Sequence, residues 1–267
     1  MPNLKQLSKL KEIYGDSVFS NFRKSDIDIL LESFQPEKLV KGFENLLITK
    51  SFSFQDFNAF HYIDYFLNRK KVEAVLLFID ITLFSKKFHK KTTEQIVAYL
   101  DEYYKYIIPV INKHGGEIEK IMGDGIICVF GEPFLDRNQE ELHKSADKCS
   151  REIISTLRNT EFAVKIALHY GEIMYYKNPT SEYYEFTMIG SAVTELFRLE
   201  GVSTGDSINY FAGTKYDYQI EAGIDRFDTQ FARFSAKIKY RWMVKTDKYY
   251  DLQGTDYGIV KRVEFVG

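Results

Sequence analysis

The amino-acid sequence predicts an α+β fold: a ferredoxin-like βαββαβ core within residues 71–267, preceded by a helical lead-in over residues 1–70. Three observations carry that expectation. Val75-Leu76-Leu77-Phe78-Ile79 is a short continuous apolar run, as expected of a strand buried on both faces. Apolar residues then recur at helical spacing from Ile96 to Ile111. Beyond them, two apolar runs flank Met122-Gly123-Asp124-Gly125, whose glycines suit a tight hairpin turn.

Within residues 1–70 the pattern is helical, with Ile27, Leu30, Leu31 and Phe34, then Leu39, Phe43, Leu46 and Leu47, and no phosphate loop or ligand cluster. The first core strand starts near Val72 and ends at Asp80. A polar, lysine-rich loop is expected over Ser85-Lys86-Lys87-Phe88-His89-Lys90-Lys91. Thr92 with Gln95 forms a capping-box pattern, Ile96, Leu100, Tyr103, Ile107 and Ile111 line one helix face, and Gly115-Gly116 ends the helix. Strands follow over Glu117–Ile121 and Ile126–Phe130, then a helix from about Gln139 to Leu157 and a strand from Phe162 to His169. After Gly205 the chain reads as short mixed elements, strand-like near Ile238–Leu252 and Gly258–Phe265.

The net charge is -2, which gives no global basic field for nucleic acid or an anionic membrane, and a small substrate fits better. The two cysteines, Cys128 and Cys149, suggest neither a disulfide framework nor a thiolate metal site, in keeping with a reduced cytoplasm. No stretch approaches the roughly 18 uncharged apolar residues of a membrane span, and MPNLKQLSKLKEIYG has no signal-peptide core. The 22 Phe and 19 Tyr are spread along the chain and read as packing.

Asp80 at a strand end and Asp124 in a neighbouring turn place two carboxylates together, and carboxylate oxygens suit Mg²⁺ or Mn²⁺. Either Asp alone is explained by turn propensity. The joint pattern says more. Phe78-Ile79-Asp80-Ile81 with Phe84-Ser85, Lys120-Ile121-Met122-Gly123-Asp124-Gly125, His169-Tyr170-Gly171-Glu172, and Thr187-Met188-Ile189-Gly190-Ser191-Ala192-Val193-Thr194 with Arg198-Leu199-Glu200 resemble, in order, the blocks of class III adenylyl and guanylyl cyclase catalytic domains. The resemblance spans about Val72 to Gly201.

That resemblance implies that Asp80, the Ile81 carbonyl and Asp124 bind two divalent cations, Mn²⁺ or Mg²⁺, and that amides near Phe84 and Ser85 cradle phosphates. Arg198 takes the transition-state arginine position; read from spacing alone, it is a surface arginine paired with Glu195 or Glu200. The family usually places Asn where this chain has Thr194, whose hydroxyl can still reach ribose or phosphate, directly or through water. Members form head-to-tail dimers, so a homodimer with composite sites is implied.

Lys120 and Thr187 fall where the family reads the base. An ammonium donates and does not accept, so it suits adenine, cytosine or uracil and disfavours guanine. Glu119 is expected on the opposite face of the strand. Lys with Thr is also the ordinary bacterial adenylyl cyclase pair. The compact organisation, with Tyr62-Ile63-Asp64-Tyr65-Phe66 in the lead-in and no sensor domain, resembles the pyrimidine cyclases of the Pycsar anti-phage system. By that resemblance the expected product is cyclic UMP from UTP, with cyclic CMP from CTP or cyclic AMP from ATP as alternatives, acting on a separate cyclic-nucleotide-responsive effector. A non-catalytic, nucleotide-binding homologue is the contrasting expectation. Gly115-Gly116-Glu117 invites a diguanylate cyclase, but it precedes the hairpin's first strand instead of forming its turn.

Overall fold

The computed structural model describes residues 65–66, 68–158, 160–177, 186–217, 219 and 241–266. Most of the expected helical lead-in lies outside the described residues. The chain divides into a larger unit, Val72–Ile173 with Gly190–Gly267, and a smaller one, Met1–Lys71 with Met174–Ile189.

The elements run β1 (Lys71–Ile81), α1 (Phe84–Phe88), α2 (Thr93–Lys113), β2 (Glu117–Met122), β3 (Gly125–Phe130), α3 (Gln139–Leu157), β4 (Val164–Lys177), β5 (Phe186–Ile189), α4 (Ser191–Val202), β6 (Ser207–Phe211), β7 (Arg241–Tyr249) and β8 (Ile259–Val266). The sheet order is β2-β3-β1-β4-β6-β8-β7. Its first four strands have the order of a ferredoxin-like core, with β3 antiparallel to both β1 and β2. β6 joins β4 in parallel, and β8 and β7 extend the sheet in antiparallel sense. In the smaller unit β5 pairs antiparallel with the end of β4, Thr187 standing opposite Tyr176.

Burial explains the placing. Residues Ala74 to Ile79 of β1 and all of β3 are buried, and each such large apolar side chain contributes about 1.5–3 kcal/mol when withdrawn from water. Both strands therefore sit inside the sheet, while β2, with an exposed Met122, takes the edge. α2 and α3 pack on one another and on the β2–β3 hairpin. Thr92 forms the expected capping box with Gln95, and Asn138 forms an equivalent one with Glu141 at α3. Gly115-Gly116 ends α2 and precedes β2, so the hairpin turn is Gly123-Asp124. Cys128 and Cys149 are buried free thiols.

Three expectations change. The lysine-rich segment is not all loop: Phe84–Phe88 forms α1 because Phe84 and Phe88, four residues apart, pack at 4.7 Å and Phe88 seats on Tyr99 at 4.5 Å. The strand expected over Phe162–His169 begins at Val164 and continues to Lys177. The mixed region after Gly205 contains a fully buried strand, β6, too short to register as a pattern by itself.

α4 lies against β4 through glycines. A Cβ on Gly171 would fall 2.8 Å from the Ala192 Cβ, and one on Gly190 would fall 2.7 Å from the Glu172 carbonyl oxygen. Gly171→Ala should lower stability to chemical denaturation by about 1–3 kcal/mol, because neither Ala192 nor the backbone beneath it can yield. Adding Ala192→Gly should recover part of the loss; an unperturbed Gly171→Ala protein would contradict this packing.

Candidate active site

Asp80 stands at the end of β1 and Asp124 in the two-residue turn between β2 and β3. The register that pairs Phe78 with Ile127 and Ile79 with Ile126 carries the hairpin tip to Asp80. Gly125 permits the approach: a Cβ there would lie 2.8 Å from the Phe78 ring and 3.7 Å from Asp80 Oδ1. Gly123 supplies the positive φ, 65°, of the turn's first central residue, the pattern of a type II′ hairpin.

The two carboxyl groups lie close enough for each to influence the ionisation of the other. Burial raises the pKa of both; for Asp80 the charge of Asp124 raises it further, and Lys165 opposes the rise. Lys165, on β4, lies 3.3 Å from Asp80 Oδ2 and 2.5 Å from Glu200 Oε1. Burial works against the Lys165 charge, but Glu200 and Asp80 outweigh it and hold its pKa above the usual value. Lys165 thus bridges Asp80 and Glu200, and with Asp124 beside Asp80 the centre has a deficit of positive charge. Hard, partly buried oxygens in such a deficit fit Mg²⁺ or Mn²⁺, with the Ile81 carbonyl following Asp80 at the strand end.

Two tyrosines of α2 lie beside the pair. Tyr103 is wholly buried, its hydroxyl has no hydrogen-bond partner among the described residues, and burial followed by the Asp80 and Asp124 charges raises its pKa. Tyr104 donates its hydroxyl to the Gly123 carbonyl, and burial together with Asp124 pushes its pKa up to about 12.

On α4, Ala192, Leu196 and Leu199 are buried and Thr194 and Arg198 are exposed, one turn apart on the same face. Glu195 reaches buried His169 on β4, with Nε2 2.7 Å from Oε2, and Glu200 reaches Lys165. The two carboxylates expected to pair with a surface Arg198 are thus engaged elsewhere. Arg198 is turned about 200° around the helix from Glu200, away from the Asp80 cluster. Phe84 and Ser85 open α1, whose N-cap, Leu83, has φ 59° and makes no side-chain cap bond.

Lys120 is half-buried on β2 in the larger unit; Thr187 is on β5 in the smaller. The strand alternation invoked for Glu119 is interrupted, because a register shift falls between Ile118 and Lys120. Glu119 is itself buried, as is Glu117. Sequence reasoning did not find Lys165 or Tyr104, and knew Glu200 only as a partner for Arg198. The one legible signal was Lys165, a cation within the apolar run Val164-Lys165-Ile166-Ala167-Leu168.

Residues 67–219 match the adenylate and guanylate cyclase catalytic domain. The chain belongs to that family. This cyclase domain is 25% identical over 141 residues to adenylate cyclase 1 of Rhizobium meliloti (strain 1021), covering 49% of this chain and 21% of that protein. It is 24% identical over 159 residues to the terminal-differentiation-specific adenylate cyclase of Dictyostelium discoideum, covering 57% of this chain and 7% of that protein. The matched segment is thus about a fifth or less of these relatives' length. Among solved structures, the adenylyl cyclase CyaB from P. aeruginosa has TM-score 0.59 at 16% identity, covering 73% of this chain and 94% of that one. The guanylate cyclase domain of RhGC from Catenaria anguillulae in complex with GTP has TM-score 0.58 at 15% identity, covering 73% and 97%. At such identities these two likenesses establish the class III cyclase fold and nothing finer. No described helix is long and apolar enough to cross a membrane.

The raised carboxyl pKa values make ionisation of the pair unfavourable to the fold. Their favourable contribution is complete below the ordinary carboxylate value of 3.8 and is lost as pH rises through the raised values. Asp124→Asn should therefore melt above the unsubstituted, metal-free protein at pH ~7, by a few degrees, with the gap closing toward pH ~4. A lower melting temperature at neutral pH would contradict like-charge strain at this centre.

Proposed function

We propose that this domain cyclises a nucleoside triphosphate to its 3′,5′-cyclic monophosphate with release of pyrophosphate, and that UTP is its substrate. The observation that carries the reaction class is the carboxyl pair of Asp80 and Asp124 at the meeting of β1 and the β2–β3 turn, in a chain of the cyclase family. Asp80, Asp124 and the Ile81 carbonyl hold two divalent cations, Mn²⁺ or Mg²⁺. Bound there, such ions lower the pKa of a hydroxyl and neutralise charge on a leaving pyrophosphate.

The chain's own groups do the rest by position and charge. Lys165, held between Asp80 and Glu200, keeps one positive charge beside the carboxyl pair. The uncapped amides at Phe84 and Ser85 receive phosphate oxygens. The ribose 3′-hydroxyl attacks the α-phosphorus in line, and a guanidinium opposite it stabilises the transition state. That guanidinium is Arg198 of the partner subunit, since Arg198 faces away from its own carboxyl pair while Glu195 and Glu200 are engaged elsewhere. Thr194, one turn before it, contacts ribose or phosphate. The assembly is a homodimer with composite sites.

For the base, Lys120 donates to a carbonyl or ring nitrogen and Thr187 completes the edge; guanine, with donors at N1 and N2, is disfavoured. UTP comes first on the resemblance to the Pycsar cyclases, CTP second. ATP is the distinct alternative, favoured by relatives named adenylate cyclases. On the pyrimidine reading the product is a second messenger of anti-phage defence, made in the cytoplasm and received by a separate effector protein.

Purified protein incubated with Mn²⁺ and each of ATP, GTP, CTP and UTP in turn, with products identified by mass, should yield cyclic UMP. Cyclic AMP alone would overturn the pyrimidine assignment and leave the mechanism standing; four unreacted nucleotides at high enzyme would leave a nucleotide-binding homologue. Asp124→Ala and Arg198→Ala proteins, each inactive alone, should regain activity when mixed, through the one intact site of the mixed dimer. No recovery despite demonstrated subunit exchange would refute composite sites.

A further inference from the structure

Asp124 owes its position to a weakly held piece of chain. It sits in a two-residue turn at the tip of the β2–β3 hairpin, and β2 is the edge strand of the sheet. The ladder closes at Met122 opposite Gly125, Met122 is exposed, and the register is already broken between Ile118 and Lys120. Edge position, a bulge and a glycine turn each favour motion at the tip.

A side chain from α2 reaches that tip. Tyr104, on α2, donates its phenolic hydroxyl to the carbonyl of Gly123, the peptide unit that continues into Asp124. α2 is a firm base for such a brace. Tyr103, beside it, is wholly buried with its ring 5.8 Å from Phe162, and Tyr99 packs on Phe162 at 4.6 Å and on Phe88 at 4.5 Å. Tyr104 itself stacks obliquely on Tyr103 at 5.6 Å, which limits the directions its hydroxyl can take. Helix, ring and hydroxyl thus oppose tilting of the Gly123–Asp124 peptide and keep the Asp124 carboxyl on Asp80.

We propose that Tyr104 is a positioning residue of the cation centre: through the Gly123 carbonyl its hydroxyl holds Asp124 against Asp80 and so sets the affinity for divalent metal. This inference rests on the reading of Asp80 and Asp124 as the cation ligands. It does not depend on which nucleotide is cyclised, or on whether any is.

The test is Tyr104→Phe in the full chain, which keeps the ring and removes only the donor. Mn²⁺ binding without nucleotide, followed by electron paramagnetic resonance, should weaken about 2- to 10-fold, the scale of one lost neutral hydrogen bond. The melting temperature of the metal-free protein should stay close to that of the unsubstituted chain. Where activity is present, the Mn²⁺ concentration for half-maximal rate should rise by the same factor, with turnover restored at saturating Mn²⁺ and the KM for nucleotide unchanged. Mn²⁺ affinity equal to that of the unsubstituted protein would overturn the proposal, as would a fall in melting temperature with unchanged affinity, the mark of a merely structural tyrosine. Asp124→Asn separates the two readings. If it abolishes Mn²⁺ binding but the unsubstituted chain cyclises nothing, the catalytic reading fails and Tyr104 is still judged by its effect on affinity. If the unsubstituted chain binds no Mn²⁺ through Asp124, the positioning role fails with the site.

Discussion

Asp80 and Asp124 are neighbouring carboxyl groups partly withdrawn from water, and bringing two like charges there costs folding free energy that the surrounding structure must offset. The sheet supplies the rigidity. Residues Ala74 to Ile79 of β1 and all of β3 are buried, so their register cannot slip by one residue without turning a row of large apolar side chains to water. Lys165 and Glu200 complete the electrostatics: the ammonium offsets Asp80, and Glu200 holds the ammonium. The centre remains short of positive charge, the condition in which a divalent cation binds with most effect. Much of the domain's geometry follows from meeting at one point with opposite chemical demands, an apolar strand end and a polar turn.

α4 is organised by the same economy of charge. Its buried side is seated on β4 through Gly171 and Ala192, and its two candidate acidic partners for Arg198 turn inward, Glu195 to His169 and Glu200 to Lys165. Burial lowers the pKa of His169 while Glu195 opposes the fall, so that contact sits in a setting where neither member is well solvated. Thr194 and Arg198 are left on the exposed face. Arg198 is thus an exposed arginine whose nearby acids are occupied. The proposal of a site shared between subunits starts from that exposure.

The edge of the sheet shows where strand logic reaches its limit. Alternation of side chains assigns Lys120 and Glu119 to opposite faces, and that argument holds only while the ladder is regular. The register shift between Ile118 and Lys120 breaks the count just before Lys120, and both Glu117 and Glu119 are buried. The facing of Lys120 therefore depends on a local irregularity of an edge strand, a feature no residue pattern announces.

Much of the fold was legible because it rests on local chemistry. The apolar run ending at Asp80, the capping box of Thr92 and Gln95, the Gly115-Gly116 stop and the glycine-flanked turn at Asp124 each follow from propensity and periodicity, and together they specify strand, helix and hairpin in order. The cyclase blocks were legible for the same reason, as residue types at characteristic spacings. What the residue string could not express is which sequence-distant groups meet. Lys165 looks like a stray charge in an apolar strand until β4 is set near β1; Tyr104 looks like one more aromatic on α2 until the hairpin tip folds over to its hydroxyl. The free energy of these contacts lies in their geometry, in angstroms between oxygens and nitrogens that only the assembled sheet brings into range. The sequence by itself therefore determined the first core strand, the long helix, the hairpin and the presence of the two carboxylates, and the tertiary structure decided their neighbours: the lysine that balances them, the tyrosine whose hydroxyl meets the turn and the exposure of Arg198.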